Sequence, residues 1–515
     1  MTAIAILVEV DVTSPAGVAS TLRFADEAIR PMAPTDTLRA NVAWDDRLIE
    51  APTLRRALWD DMATLTPALG VGFMNLSNAD GGLDAYKGHV WGAMRVWRWV
   101  VGTDFSTATR LFSGVAAPPR FSEPATGAPR VSAGLYDYRA ELDKPIQATT
   151  YSAAGGTYDG SADGLKGRPK PLAYGRLTDA HLPAPQVNGA LLAYQLHDGA
   201  VDGGIQIFDR GTAAGFTSDG DLTGAAFDSA TPAAAHSVTD KSRGLLKING
   251  DPVGKLTFGV RGDASPTYVE TAGPIAARIL AKAGVPGGRI GASVAALTAA
   301  APVGIWEADQ INASALIARL GRSVAASIAP DRMGLWQATA FAAPAGVASL
   351  TIEPDQIVSV QADDSAPDPV GVVRIGWGKV FTTFAANELP LALVKSTTAE
   401  RLASTWRWAV VEDATVKARL PGTWRTLEIE TALRVESDAI ALANSYKALF
   451  GLRADGTLRR QWRVVLEDTD AVRAVALGAT VRLKHPPRGI DDLFVLVEEE
   501  PMRPRRDLTT WTLWG

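Results

Sequence analysis

The stretch that decides the fold begins Leu165-Lys-Gly-Arg-Pro-Lys-Pro-Leu-Ala-Tyr-Gly-Arg176. It continues through Leu191-Leu-Ala-Tyr-Gln-Leu-His-Asp-Gly199 and Ile205-Gln-Ile-Phe-Asp-Arg-Gly211. Pro169 and Pro171 fix φ on either side of Lys170, so this part of the chain is rigid and extended rather than helical. The short β-rich runs that follow each end in turn residues such as Gly or Asp-Gly. These residues predict a β meander with stiff connections.

Strand-like alternation also marks the N-terminal part of the chain. Ile6, Val8, Val10 and Val12 fall on one face of a half-buried strand, and residues 22–25, 38–44 and 48–49 continue the pattern. A later strand, 92–101, carries Trp97 and Trp99 next to arginines. Tryptophans interleaved with arginines can stack nucleic-acid bases, but an aromatic face packed on a neighbouring strand is the preferred interpretation.

Helical periodicity appears in three places. Residues 268–284 are amphipathic, with Pro274 in a first turn and Gly284 as the stop, and residues 313–328 form a second stripe opened by Asn312. A third helix is predicted at 437–450, capped by Ser437 and ended by Gly451, with Ala439, Ile440, Ala443, Tyr446, Leu449 and Phe450 as its buried face. The predicted class is mainly β (α+β).

Length and periodicity together predict four domains. They are a β domain at 1–150, a β-rich domain with Gly-rich loops at 151–262, a small helical insert at 263–345 and a C-terminal β part at 346–515 that contains one helix. With 47% hydrophobic residues, a 515-residue chain has enough apolar material for several cores.

Composition excludes several function classes. The chain has no Cys, which removes disulfides, thiolate nucleophiles, Fe–S clusters and Cys-based zinc sites. Its net charge of −5 argues against a general nucleic-acid binder. The longest uncharged run, 290–306, is broken by Pro302 and Gly304 and is too short for a bilayer, so no membrane insertion is expected.

Two short segments resemble functional sites. Asn78, Asp80 and Asp84 carry oxygen ligands suitable for calcium, but the spacing of an EF-hand loop is missing and an Asx-plus-glycine turn is favoured. His197-Asp198 has the residues of an oriented catalytic imidazole, but no Gly-x-Ser-x-Gly elbow supplies a nucleophile, and a turn role is favoured. No catalytic, metal-binding or cofactor-binding residue is predicted, and the chain is not expected to be an enzyme.

The sequences of these segments resemble those of the hub proteins at the distal end of bacteriophage tails, including hubs of long-tailed phages and gene-transfer-agent-like hubs. The family has a Lys-Gly-Arg-Pro-Lys-Pro-Leu-x-Phe/Tyr-Gly-Arg segment, a Leu-x-Tyr-Gln-x-His-Asp-Gly segment and an Asp-Arg-Gly turn, in the order found here. Further matches are Asn78-Ala-Asp-Gly-Gly-Leu-Asp84, Gly304-Ile-Trp306, Val372-Val-Arg-Ile-Gly-Trp-Gly-Lys379 and the closing Thr512-Leu-Trp-Gly515. The resemblance covers most of the chain from about residue 75.

The resemblance implies a baseplate hub built of β-barrel- or sandwich-like domains with an inserted helical part. Three copies would form a ring that closes and extends the tail tube, adapts a six-fold tube to a three-fold tip, and forms part of the channel for the tape measure protein and ejected DNA. Implied neighbours are other copies of this chain, the distal tail protein or last tube ring, the tape measure protein, and tail fibres or central tip proteins. The chain would be made in the host cytoplasm and located at the distal end of the virion tail.

The rigid core of the opening stretch is the one candidate site, called the strap here. It comprises Arg168, Pro169, Lys170, Pro171, Gly175 and Arg176. Prolines lower the entropy lost on ordering, which favours a segment held in one geometry against another domain or subunit. The alternative is a surface linker that happens to be proline-rich.

Two other functions stay open from the sequence. A tail-associated cell-wall hydrolase would need a metal or acid/base site, and a receptor-binding tip protein would expose aromatic patches.

Overall fold

The computed structural model describes residues 3–29, 32–62, 64–67, 69–123, 127–160, 164–297, 301–363, 366–502 and 508–515. Strands account for 40% of the chain and helices for 18%, so the predicted mainly-β class is confirmed. The strands of the first part are β1 (Ile4–Thr13), β2 (Ala19–Ala25), β3 (Thr53–Ala57), β4 (Trp59–Asp61), β5 (Thr66–Pro67), β6 (Val71–Ser77), β7 (Val90–Val100), β8 (Thr109–Ala116), β9 (Arg120–Ser122) and β10 (Arg130–Asp137).

The middle of the chain continues with shorter strands. They are β11 (Leu172–Gly175), β12 (Gln186–Asn188), β13 (Ala193–Gln195), β14 (Val201–Asp209), β15 (Thr212–Ala213), β16 (Thr217–Asp221), β17 (His236–Asp240), β18 (Leu245–Asn249), β19 (Leu256–Asp263), β20 (Gly304–Glu307), β21 (Ala326–Pro330) and β22 (Trp336–Ala340). The last part contains β23 (Thr351–Ile352), β24 (Ile357–Ala362), β25 (Val370–Trp377), β26 (Arg407–Glu412), β27 (Arg425–Glu430), β28 (Gln461–Glu467), β29 (Thr480–His485), β30 (Ile490–Met502) and β31 (Leu508–Trp514).

The α-helices of the described residues are α1 (Ala225–Ser229), α2 (Ala272–Lys282), α3 (Ala292–Ala295), α4 (Ala313–Ser323), α5 (Thr397–Leu402), α6 (Ala414–Arg419), α7 (Glu436–Phe450) and α8 (Asp470–Ala474). Short 3₁₀ turns lie at Asp84–Tyr86, Phe105–Thr107, Tyr138–Leu142, Gly287–Arg289, Pro354–Gln356, Ala386–Glu388 and Pro486–Arg488. Within the described ranges, every helix is too short or too polar to cross a lipid bilayer.

One large sheet runs through both ends of the chain. Its strand order is β2-β1-β7-β8-β10-β6-β3-β30-β31-β28-β24, and β29 also pairs with β30. Near β2 and β6 the segment 45–49 bridges the gap, with Ala25 N–H donating to the Asp45 carbonyl at 2.6 Å and Ile49 N–H to the Asn75 carbonyl at 3.1 Å. Among the described strands, the sheet does not close into a barrel.

The largest hydrophobic core joins all four predicted domains, from Leu58 through the helical region to Trp514. The domain boundaries at 150, 262 and 345 stay predictions, but the parts they separate share this core.

Strand β1 is buried on both faces, which corrects the expectation of a half-buried strand. Its predicted face packs in one core, and Ala5 and Leu7 pack in a second core on the other side. Glu9 also points to the second side and is 2% exposed. It is ion-paired with Arg23 and Arg39, each at 3.1 Å, and with Arg95 at 3.4 Å.

The segment 38–44 is a series of turns, so the strand predicted there is wrong. The cause is the buried carboxylate of Asp36, which accepts the backbone N–H groups of Leu38 at 3.0 Å and Arg39 at 2.6 Å. Its second oxygen accepts the Phe105 N–H at 2.7 Å. An Asx-type turn competes with strand pairing for the same backbone donors, and here it prevails.

The tryptophans of β7 pack inside the protein, as the preferred interpretation predicted. Trp97 and Trp99 are 3% and 5% exposed, and the Trp97 ring meets Phe105 at 5.5 Å and Trp44 at 6.3 Å. These rings cover the second face of β1, so they are not free to stack on bases.

The helical region confirms α2 and corrects α4. Helix α2 begins at Ala272 with Pro274 in its first turn, and Gly284 follows it at φ +90°. Helix α4 ends at Ser323 rather than Ile328, because Ala325 takes φ +48° and the chain reverses into β21, where Ile328 pairs with Ala338.

Helix α7 begins one residue earlier than predicted, with Val435 at the N-cap, so Ser437 lies inside the first turn and does not cap it. Ile440, predicted to be buried, is 41% exposed, while Leu442 is 7% exposed. The buried face is rotated because the helix packs on β25 and β26 along the line of Ala439, Ala443 and Tyr446.

A buried ion cluster joins three distant parts of the chain. Glu499 on β30 is 1% exposed. One of its oxygens accepts from Arg56 at 2.6 Å and from Arg332 at 3.0 Å, and its other oxygen also contacts Arg332. Burial raises the pKa of Glu499, but the two guanidinium groups together lower it by a larger amount. The net shift of the pKa is downward, so the group is an anion.

We expect Glu499→Gln to lower the free energy of unfolding by about 3 kcal/mol or more, because two largely buried guanidinium groups lose their counter-charge. Glu498→Gln is the matched control on the same strand. Glu498 pairs with Arg55 at 3.0 Å in a more exposed setting, with 19% and 34% of the two side chains accessible, so its loss costs at most about 1 kcal/mol. Urea unfolding of both variants measures the difference, and equal costs contradict the role of the cluster.

Candidate functional site

The strap is one side of a short strand ladder. Tyr151 N–H donates to the Arg168 carbonyl and Lys170 N–H donates to the Thr149 carbonyl, both at 3.0 Å. Thr150 and Pro169 form an isolated bridge between these bonds. The fixed φ angles of the two prolines are compatible with this extended pairing.

The charged side chains of the strap lie outside the core, while Pro171 lies inside it. Arg168 is half exposed and meets Asp309 only at 3.5 Å, and Lys170 lies 5.6 Å above the ring of buried Tyr151. Pro171 is buried and its carbonyl accepts the Asp198 N–H at 2.7 Å.

Beyond the strap, β11 is buried along its whole length. It pairs antiparallel with β20, which places Leu172 opposite Glu307 and Gly175 opposite Gly304. Two segments that are well over a hundred residues apart therefore share one buried ladder.

Gly175 sits where no larger residue fits. Its φ is +72°, and a Cβ atom there would lie 2.1 Å from the Val303 carbonyl oxygen and 3.1 Å from Ile275. The close approach lets Arg176 N–H donate to that same carbonyl at 2.8 Å.

The residues after β11 bind the C-terminal part of the chain. The guanidinium group of Arg434 donates to the Thr178 carbonyl at 3.1 Å and to the Lys379 carbonyl at 2.9 Å. Desolvation lowers the pKa of Arg434 to about 10, so it remains a cation at neutral pH. The Ala180 carbonyl accepts the Phe381 N–H at 2.9 Å.

Backbone hydrogen bonds between residues 302–304 and 432–434 complete this set of contacts. Arg434 N–H donates to the Pro302 carbonyl at 3.0 Å, and Gly304 N–H donates to the Ala432 carbonyl at 2.8 Å. We call the segments 172–180, 302–306, 376–381 and 432–434 the junction. The sequence indicated the rigid strap that leads into it but carried no signal for Arg434, whose partners lie far away in the chain.

His197 is a structural group that contacts the junction rather than a pair with Asp198. It is 3% exposed, its Nδ1 accepts the Ala173 N–H at 2.9 Å, and its Nε2 lies 3.7 Å from Asp263. Asp263 in turn pairs with Arg278 at 2.8 Å. Nδ1 is thereby committed to a backbone donor and Nε2 faces a buried carboxylate, which fits the favoured turn role.

The oxygens of the 78–84 loop are likewise engaged within the protein. Arg47 donates to both carboxylate oxygens of Asp80 at 2.7 Å. The Asn78 side chain accepts the Leu83 N–H and donates to Asp84, both at 2.9 Å. These bonds confirm the turn interpretation, and the described residues contain no group of three or more acidic or His side chains placed to hold a metal.

No protein-family model matches the chain, and no curated protein matches its sequence. Among solved structures, the 43 kDa tail protein of prophage MuSo2 from Shewanella oneidensis is similar at 10% identity and a TM-score of 0.41, over 98% of both chains. The tail protein from Neisseria meningitidis MC58 shares 10% identity at a TM-score of 0.40, over 99% of this chain and 96% of that one. A prophage tail protein from Listeria monocytogenes EGD-e shares 8% identity at a TM-score of 0.37, over 98% and 94%. These TM-scores are too low to establish a shared fold or function.

We expect Gly175→Ala to cost about 3 kcal/mol or more of unfolding free energy, because a methyl group must displace the Val303 carbonyl. Gly167→Ala is the control. Gly167 has a similar φ of +76° but open space around it, so only the left-handed strain of about 1 kcal/mol remains. Thermal or urea unfolding of the two variants compares their losses of unfolding free energy. Similar losses at both positions would show that β11 can move away from the Val303 carbonyl without cost.

Proposed function

We propose that the protein is a structural component of a bacteriophage tail tip, the baseplate hub. In this proposal three copies form a ring that closes and extends the tail tube, adapts its six-fold symmetry to a three-fold tip, and forms part of the channel for the tape measure protein and DNA. The ring lies at the distal end of the virion tail after synthesis in the bacterial cytoplasm.

The observation that carries the proposal is the convergence of four of the segments that resemble tail hubs. Residues 166–176 and 304–306 meet as β11 and β20. Residues 191–199 reach the same place through His197, and residues 372–379 reach it through the Lys379 carbonyl. Segments that are far apart in the sequence therefore contribute to one continuous junction. A rigid hub is expected to have such a junction, whereas chance resemblances in unrelated turns are not.

Open sheet edges support assembly into a larger particle. Strand β24 ends the large sheet and β26 ends the sheet β26-β25-β27, and neither has a second neighbour among the described strands. Neither strand contains Pro or Lys, the residues that commonly protect free edges. Exposed Val358 and Val410 lie on these two edges, at 58% and 50% accessibility. Cover by other copies or by neighbouring tail proteins would satisfy both.

The proposed partners are other copies of this chain, the distal tail protein or last tube ring above, and tail fibres or central tip proteins below. The tape measure protein and DNA would contact the channel wall only before and during ejection. The role is mechanical, without catalysis or cofactor, which fits the commitment of His197 and of Asp80 to structural bonds.

Cryo-electron microscopy of the particle tests this function. We expect three copies at the distal end of the tail tube, surrounding the channel. Six copies or one copy per tail contradicts the three-fold ring, and a position in the outermost fibres favours the receptor-binding alternative. A clearing band on host peptidoglycan that disappears in His197→Ala favours the hydrolase alternative.

A further inference from the structure

A cationic cavity of about 480 Å³ opens on the C-terminal part of the protein, away from the junction. Its lining includes Arg419, Arg453, Arg460 and Arg488 with only Asp455 and Asp492 as acidic residues. Four guanidinium groups against two side-chain carboxylates give the side chains of the lining a formal surplus of two positive charges.

Both carboxylates of the lining are already occupied. Asp492 pairs with Arg453 at 3.0 Å. Asp455 accepts the Thr457 N–H at 2.8 Å and the Thr457 hydroxyl at 2.6 Å, which closes a turn at the rim. Arg419 donates to the carbonyl of Gly456 on that turn, a contact that neutralises no charge.

The other two arginines have no carboxylate within ion-pair distance among the described residues. Arg460 is exposed, and its backbone is fixed by reciprocal hydrogen bonds with Gly515 at 2.8 and 3.1 Å. Arg488 is exposed and lies 5.9 Å above the ring of buried Trp462, on the turn that joins β29 to β30. Two arginines that line one cavity thus lack a carboxylate partner among the described side chains.

We propose that this cavity binds the phosphate groups of a polyanion. A phosphate carries about −1.5 to −2 charges near neutral pH, which matches the surplus of the lining. Guanidinium groups bind phosphate oxygens through paired N–H donors, and several of them on one concave surface select a multiply charged group. The volume of the cavity exceeds that of a single carboxylate and accommodates linked phosphates.

Isothermal titration of the full chain with inorganic tripolyphosphate tests the site. The double variant Arg460→Gln/Arg488→Gln should weaken binding by at least about tenfold, the size expected for losing charge-assisted hydrogen bonds. The control is Arg120→Gln/Arg130→Gln, which removes the same charge from exposed positions on β9 and β10 and should leave the affinity unchanged. Circular dichroism and melting temperature establish that both variants are folded.

A second arm replaces tripolyphosphate by a short DNA duplex. A loss with both probes assigns the cavity to phosphate chains that include DNA, and a loss with tripolyphosphate alone assigns it to small phosphorylated ligands. Wild-type affinity in the folded Arg460→Gln/Arg488→Gln variant, or an equal loss in the control, overturns the proposal. Because neither arm depends on the tail, the result is independent of the hub function.

Discussion

The structure depends most on one constraint, the pairing of a buried strand whose neighbours come from distant parts of the chain. Strand β11 forms a ladder with β20, and the residues after it accept from Arg434 and Phe381. Buried peptide groups must be hydrogen-bonded, so each of these partners is required for the strand to stay inside. Gly175 makes the approach possible by leaving no side chain against Val303. Three of the four predicted domains therefore meet at one place and cannot separate there without exposing unpaired backbone.

Buried carboxylates reinforce this arrangement at other contacts between distant segments. Glu9 and Glu499 are surrounded by arginines, and Asp263 bridges His197 and Arg278. Such clusters add less net stability than apolar packing of equal volume, but removing one partner is costly because the remaining charge stays buried. Their value is geometric, since each fixes the relative position of elements that packing alone would hold less specifically.

The sequence predicted what local chemistry determines. Two prolines around Lys170 indicated an extended strap, and the apolar stripe of residues 272–282 indicated a helix, because both signals lie in adjacent residues. The sequence did not predict which distant residues these elements contact. No residue near Asp36 indicated that the Phe105 N–H would donate to its carboxylate. The apolar periodicity of α4 continued to Ile328, although the chain reverses at Ala325. The arginines that line the proposed phosphate cavity, at 419, 453, 460 and 488, gave no signal because they lie on separate segments that only the fold brings together.

Hydrogen exchange followed by mass spectrometry in increasing urea tests most directly whether the junction unites the chain. Peptides covering β11, β20 and β25 report on three of the predicted domains. If the junction is one cooperative unit, their amides exchange through a common opening whose free energy and urea dependence match those of global unfolding. Exchange of β20 or β25 through a separate opening of lower free energy, with β11 still protected, would contradict the account.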